Sequence, residues 1–229
     1  TSGTGSEVTP NAIVTLPEEE LKIGMVSRYL LPDIVFLDPL LTIDLPKSVT
    51  ASTGMDAFTH ALESFISNKA NPISDMFALE SIKLISSSIV EAFENGSSIS
   101  AREKMLLGSM YGGMALTSSG TAAVHALAYP LGGKFNIPHG VANSMLLPHV
   151  MEFNMDYISN RLYHIAEPMK INTDKYSKEE IPEIVINKIT EWINVLQIPQ
   201  DLREFGVEES DLKSLSIAAS KVTRLLNNN

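Results

Sequence analysis

Gly54-Met55-Asp56-Ala57-Phe58-Thr59-His60 sets a carboxylate and an imidazole four residues apart. On a helix both side chains then leave the same face about one turn apart, so two ligands can grip one ion without backbone strain. A second stretch carries two more imidazoles: His125-Ala126-Leu127-Ala128-Tyr129-Pro130-Leu131-Gly132-Gly133-Lys134-Phe135-Asn136-Ile137-Pro138-His139-Gly140. His125 stands among small residues (Ala122, Ala123, Ala126, Ala128) that let helices approach closely. His139 follows a Gly-Gly-containing loop, where Pro138 stiffens the approach and Gly140 lets the chain come near an ion. Either half alone is also an ordinary surface pair or a satisfied core histidine. Together Asp56, His60, His125 and His139 offer nitrogen and oxygen donors without sulfur, a set that suits Fe(II), Zn, Mn or Ni.

Outward from these segments the pattern is helical from Ser48 onward. A helix is expected over about 55–67. Asn71-Pro72-Ile73-Ser74-Asp75 reads as a helix start with Pro near the first turn. Apolar residues at Phe77, Ile82, Ile85, Ile89 and Phe93 continue a helical spacing through 94, and Asn95-Gly96 stops it. Ser100, with Glu103 three residues on, reads as a capping box opening a helix to about 116. Further helices are expected near 119–130, 140–153, 156–169, 178–196 and 209–225. Residues 1–45 differ. Thr1-Ser2-Gly3-Thr4-Gly5-Ser6-Glu7 is a Gly-rich turn, while Ala12-Ile13-Val14-Thr15 and Ile34-Val35-Phe36-Leu37 read as short strands. The expected fold is mainly α: a short β-containing segment followed by an all-helical bundle.

Composition narrows the function. Of the 229 residues 44% are apolar, ample for a core, and the net charge of −10 with no Lys/Arg cluster disfavours nucleic acid. No apolar run approaches the ~18–20 residues of a membrane span. Cysteine is absent, which rules out disulfides and thiolate metal sites and suits a reducing cytoplasm. His149 and His164 read as surface or structural groups, and Trp192 and Met155 as core. Neither end reads as a natural domain edge, so a piece of a longer protein is expected.

Three motifs carry a resemblance. Thr1-Ser2-Gly3-Thr4-Gly5-Ser6-Glu7-Val8-Thr9, then Gly54-Met55-Asp56-Ala57 with Thr59-His60-Ala61-Leu62-Glu63, then Pro138-His139-Gly140-Val141-Ala142-Asn143 with Leu147-Pro148-His149-Val150, resemble the iron-containing (group III) alcohol dehydrogenases. The likeness runs through essentially the whole chain. It implies a dehydroquinate synthase-like architecture in which residues 1–45 end an NAD(P)-binding α/β domain and residues 46–229 form a helical metal-binding domain. It implies Asp56, His60, His125 and His139 as ligands of Fe(II), or of Zn, Mn or Ni. It implies Thr1, Thr4, Thr9, Asn11 and Lys22 beside NAD or NADP, a small alcohol or aldehyde substrate, and a cytoplasmic homo-oligomer such as a dimer. The implied activity is hydride transfer between that substrate and the nicotinamide. The alternatives are a sister oxidoreductase of the maleylacetate reductase or polyol dehydrogenase type and, for this stretch alone, a non-catalytic metal-binding helical domain. One departure stands out: many relatives carry a second His four residues after the His125 position, where this chain has Tyr129.

Overall fold

The computed structural model describes residues 3–16 and 21–228, with the side chains of residues 15, 16 and 21–23 outside that description. It is mainly α. Asn11–Leu16 (β1) pairs antiparallel with Leu21–Val26 (β2), from Asn11 opposite Val26 to Leu16 opposite Leu21. The expectation for β1 holds, and β2 was not foreseen. The expected strand Ile34–Leu37 does not form: the segment is irregular, with Ile34 and Phe36 exposed. A strand needs a hydrogen-bonding neighbour, and among the described residues the two-stranded sheet offers this segment none.

The helices are Lys47–Ile66 (α1), Pro72–Ser86 (α2), Ile89–Glu94 (α3), Ile99–Ser119 (α4), Ala123–Lys134 (α5), His139–Phe153 (α6), Met155–Ile165 (α7), Ile181–Val195 (α8), Leu212–Ser220 (α9) and Thr223–Leu226 (α10). Asn71 opens α2 as expected. Its side chain accepts the amides of Ile73 and Ser74, both at 3.1 Å, and Ser74 Oγ accepts the Asn71 amide at 2.9 Å. The helix expected to 94 breaks at Ser87 and Ser88, whose hydroxyls both bond back to the Leu84 carbonyl. Such short-range bonds compete with the helical ladder. The cap of α4 is Ser98, bonding the Ala101 amide, so the expected box on Ser100 and Glu103 lies inside the helix. The segment 209–225 divides into α9 and α10, and α5 runs through Pro130.

Helix α1 is the axis of the bundle. Its residues Gly54 to Phe65 are buried on every side, against α2, α4 and α6 among others. A helix enclosed this way has no solvated face in its middle turns. Beneath it Phe58 meets Trp192 of α8 edge-to-face, with ring centroids 5.3 Å apart. Small residues let neighbours close in. A Cβ on Gly140 would stand 2.1 Å from the Ser52 carbonyl oxygen, so the N-terminus of α6 lies directly on α1. The N-terminal segment docks on α4, where the Gly5 amide donates to Ser109 Oγ at 3.2 Å. Among the described residues no helix is long and apolar enough to cross a membrane.

Candidate metal centre

Three helices meet around one point. Helix α1 supplies Asp56 and His60 from one face, α5 supplies His125 near its start, and α6 supplies His139 as its first residue. Asp56 Oδ1 lies 3.9, 3.8 and 3.7 Å from the Nε2 atoms of His60, His125 and His139. One donor atom from each of the four lies within 4.8 Å of all the others. These gaps are too long for hydrogen bonds. An ion about 2.1 Å from each donor would set tetrahedral donor pairs about 3.4 Å apart, so the three Asp56–His pairs need to close by only a few tenths of an ångström and the imidazoles by rotamer adjustment within the same 4.8 Å cluster. Among the described residues this is the one such cluster.

Burial tunes the donors. Desolvation pushes His60 down to about 4 against the pull of Asp56. Burial also acts on His125, but the Glu63 carboxylate beside it outweighs that and holds it above the ordinary histidine value. Asp56 is desolvated as well, yet the three imidazoles and the Asn143 amide leave its carboxyl below the usual range. The rings of His60 and His125 stack at 4.8 Å, an arrangement two imidazolium cations would resist. A carboxylate with three imidazoles is a donor set for a divalent metal.

Three contributors were not singled out from the sequence. Glu63, fully buried on α1, lies 2.5 Å from His125 Nδ1. Asn143, one turn after His139, donates to Asp56 Oδ1 at 2.7 Å, and its nitrogen lies 3.2 Å from the Nε2 atoms of His125 and His139. Arg224 of α10 lines the same cavity. Helical spacing could have flagged the first two: Glu63 follows His60 by three positions and Asn143 follows His139 by four. Arg224 comes from far along the chain with no local signal.

A cavity of about 550 Å³ opens onto the four donors. Thr4, Thr9 and Asn11 line it, as does Tyr129. Thr1 and the side chain of Lys22, expected beside them, lie outside the described residues. The Tyr129 ring is 6.1 Å from that of His139, and burial raises its phenol above the ordinary value while Arg224 pulls the other way. His149 and His164 are exposed and away from the cluster.

Comparison with known proteins bears directly on this constellation. Residues 50–229 match the model of the Fe-containing alcohol dehydrogenase family, C-terminal, and residues 1–39 match the iron-containing alcohol dehydrogenase model. The chain belongs to the iron-containing alcohol dehydrogenase family. It is 41% identical over 221 residues to 1,3-propanediol dehydrogenase of Citrobacter freundii, covering 96% of this chain and 57% of that protein. To the NAD-dependent methanol dehydrogenase of Bacillus methanolicus it is 34% identical over 216 residues, covering 94% and 57%. A solved structure of 1,3-propanediol oxidoreductase superposes with a TM-score of 0.95 at 41% identity, over 100% of this chain and 60% of that one. The chain thus spans somewhat over half the length of the curated relatives it matches.

Proposed function

We propose that this chain is the metal-holding part of an NAD(P)-dependent alcohol dehydrogenase, in which Asp56, His60, His125 and His139 bind one divalent ion, Fe(II) by family and Zn, Mn or Ni by donor chemistry. The observation that carries this is the convergence of a carboxylate oxygen and three imidazole nitrogens at the wall of a cavity large enough for a small substrate. The family models change over between residues 39 and 50, which supports reading residues 1–45 as the end of the cofactor domain and 46–229 as the metal-binding domain.

The ion supplies Lewis acidity that makes an alcohol hydroxyl easier to deprotonate and a carbonyl easier to reduce. The nicotinamide supplies the hydride chemistry. The protein does the rest. Asp56 offsets cationic charge at the centre, and the low proton affinity of His60 leaves its ring available as a ligand at neutral pH. Thr4, Thr9 and Asn11 present hydroxyl and amide groups to the cavity, suited to hydrogen-bonding a cofactor. Tyr129 stays protonated at neutral pH and so is a hydrogen-bond donor to substrate rather than a base. A small alcohol or aldehyde is the proposed substrate class, and a cytoplasmic homo-oligomer the proposed setting; both rest on family membership.

The test is turnover of an alcohol and aldehyde panel with NAD and NADP by the full-length protein, beside metal analysis. Wild type should turn over and carry metal, and His139→Ala should lose both. Undiminished turnover in His139→Ala would defeat the reading.

A further inference from the structure

We infer that Glu63 is the positioning residue of this centre: it fixes the proton of His125 on Nδ1, turns Nε2 toward the ion site, and seats helix α5 with the same carboxylate. The inference rests on the metal reading above.

Glu63 is 0% exposed, and His125 is its one ion-pair partner among the described residues. A carboxylate sealed from water is costly unless donors surround it. Here both oxygens are used. Oε2 accepts the Ala122 amide at 3.0 Å and lies 2.5 Å from His125 Nδ1, while Oε1 accepts the Val124 amide at 2.7 Å. These amides belong to the first turn of α5 and the residue before it. No side chain of Ala122 can cap that end, so its free N–H groups need an outside acceptor. Glu63 is that acceptor, and the positive end of the helix favours its charge.

The remaining contact fixes the imidazole. An ionised carboxylate can only accept, so Nδ1 carries a proton, and in the neutral ring that binds a cation Nε2 is then the nitrogen with the lone pair. The far side of the ring agrees. Asn143 Nδ2 must be a donor, since it faces Asp56 Oδ1 at 2.7 Å, and it also faces His125 Nε2 at 3.2 Å. A protonated Nε2 would oppose it. His60 Nδ1, also buried, has no such partner among the described residues. Asp56, His60 and Glu63 share one face of α1, so a single helix supplies two ligands and the group that aims a third. Carboxylates placed behind metal-binding imidazoles set both orientation and basicity.

Glu63→Gln keeps the shape but not the function. Three donors converge on the two oxygens, so the new NH2 group must point at one of them. In the full-length protein, Co(II) dissociation constants from chelator competition and the visible Co(II) spectrum are compared for wild type, Glu63→Gln and Ile189→Val, a core truncation on α8. Glu63→Gln should weaken Co(II) binding by about 10- to 100-fold and shift the spectrum, and Ile189→Val should do neither. Wild-type affinity and spectrum in Glu63→Gln, or equal weakening in Ile189→Val, would overturn the inference. Failure of the wild type to bind Co(II) would instead sink the metal reading itself. A second measurement needs no variant: in the Zn-loaded wild type, ring 15N–1H spectra should show His125 protonated on Nδ1. A proton on Nε2 would refute the assignment.

Discussion

Replacing Gly140 by Ala should damage the proposed metal centre through one added methyl group. Gly140 is the second residue of α6, directly after His139, and its φ is not positive, so alanine is conformationally acceptable there. The conflict is steric. The new Cβ would lie 2.1 Å from the Ser52 carbonyl oxygen, 2.7 Å from its carbon and 3.3 Å from Asp56 Cβ. All three atoms belong to α1, and two are backbone, which cannot swing aside. Opening the closest contact to roughly 3.2 Å parts the helices by about 1 Å at this point. Metal–donor distances tolerate only about 0.2 Å. Asp56 and His139, now 3.7 Å apart across the site, are the proposed ligands nearest the wedge. Overpacking of this kind costs about 1–3 kcal/mol, which for a chain of this size lowers the melting temperature by roughly 2–12 °C. Metal affinity, measured by chelator competition, should fall at least about tenfold. Gly206→Ala is the control. Gly206 has φ +77° with nothing within 4 Å of a built Cβ, so it costs only about 1–2 kcal/mol of backbone strain and leaves metal affinity unchanged. If Gly140→Ala binds metal as tightly as wild type, the close packing of α6 on α1 does not set ligand geometry and the reasoning fails.

Tyr129→Phe should retain a full complement of metal by elemental analysis, because the phenol is in the cavity but outside the four-donor set; loss of metal would make Tyr129 a ligand. The same variant tests the electrostatics. Burial raises the Tyr129 phenol, so the folded state resists ionisation that the unfolded chain undergoes near pH 10. Stability from this group is intact below that pH and is lost as pH rises toward the folded value. Denaturant midpoints from pH 9 to 11 should therefore fall more steeply in wild type than in Tyr129→Phe, and parallel slopes would contradict the shift. Asn71→Ala removes a reciprocal cap and should cost about 1 kcal/mol, seen as a melting temperature roughly 2–4 °C lower. Phe58→Ala empties a fully buried ring site against Trp192 and should cost about 3–5 kcal/mol; a value below 1 kcal/mol would mean the core collapses into the space.

What the sequence revealed follows from how local each signal is. Asp56 and His60 share a helix turn, so their common face was legible from spacing alone. His125 and His139 come from different helices, so donor chemistry could group them with the first pair but no spacing could place them beside it; family resemblance implied the convergence that the structure shows. The Asn71 cap could be read because its partner Ser74 is three residues away. The cap of α5 could not, because Glu63 reaches it from 59 residues earlier, to the Ala122 amide. Strand β2 went unread because Gly24 interrupts its apolar run, and Ile34–Leu37 was misread because β-rich composition supplies no pairing partner. Helix α1 starts eight residues before the expected position 55: Lys47–Gly54 is rich in Ser, Thr and Val, weak helix formers that tertiary packing overrides.

Whether one ion is shared by those four side chains separates a metal centre from a buried polar cluster. The direct test is an anomalous-difference map from crystals of the full-length protein grown with Fe(II) and measured at the iron edge. A single strong peak should appear about 2.0–2.3 Å from a carboxylate oxygen of Asp56 and from Nε2 of His60, His125 and His139. A map with no peak there, or with iron bound to other residues, would contradict the shared ion.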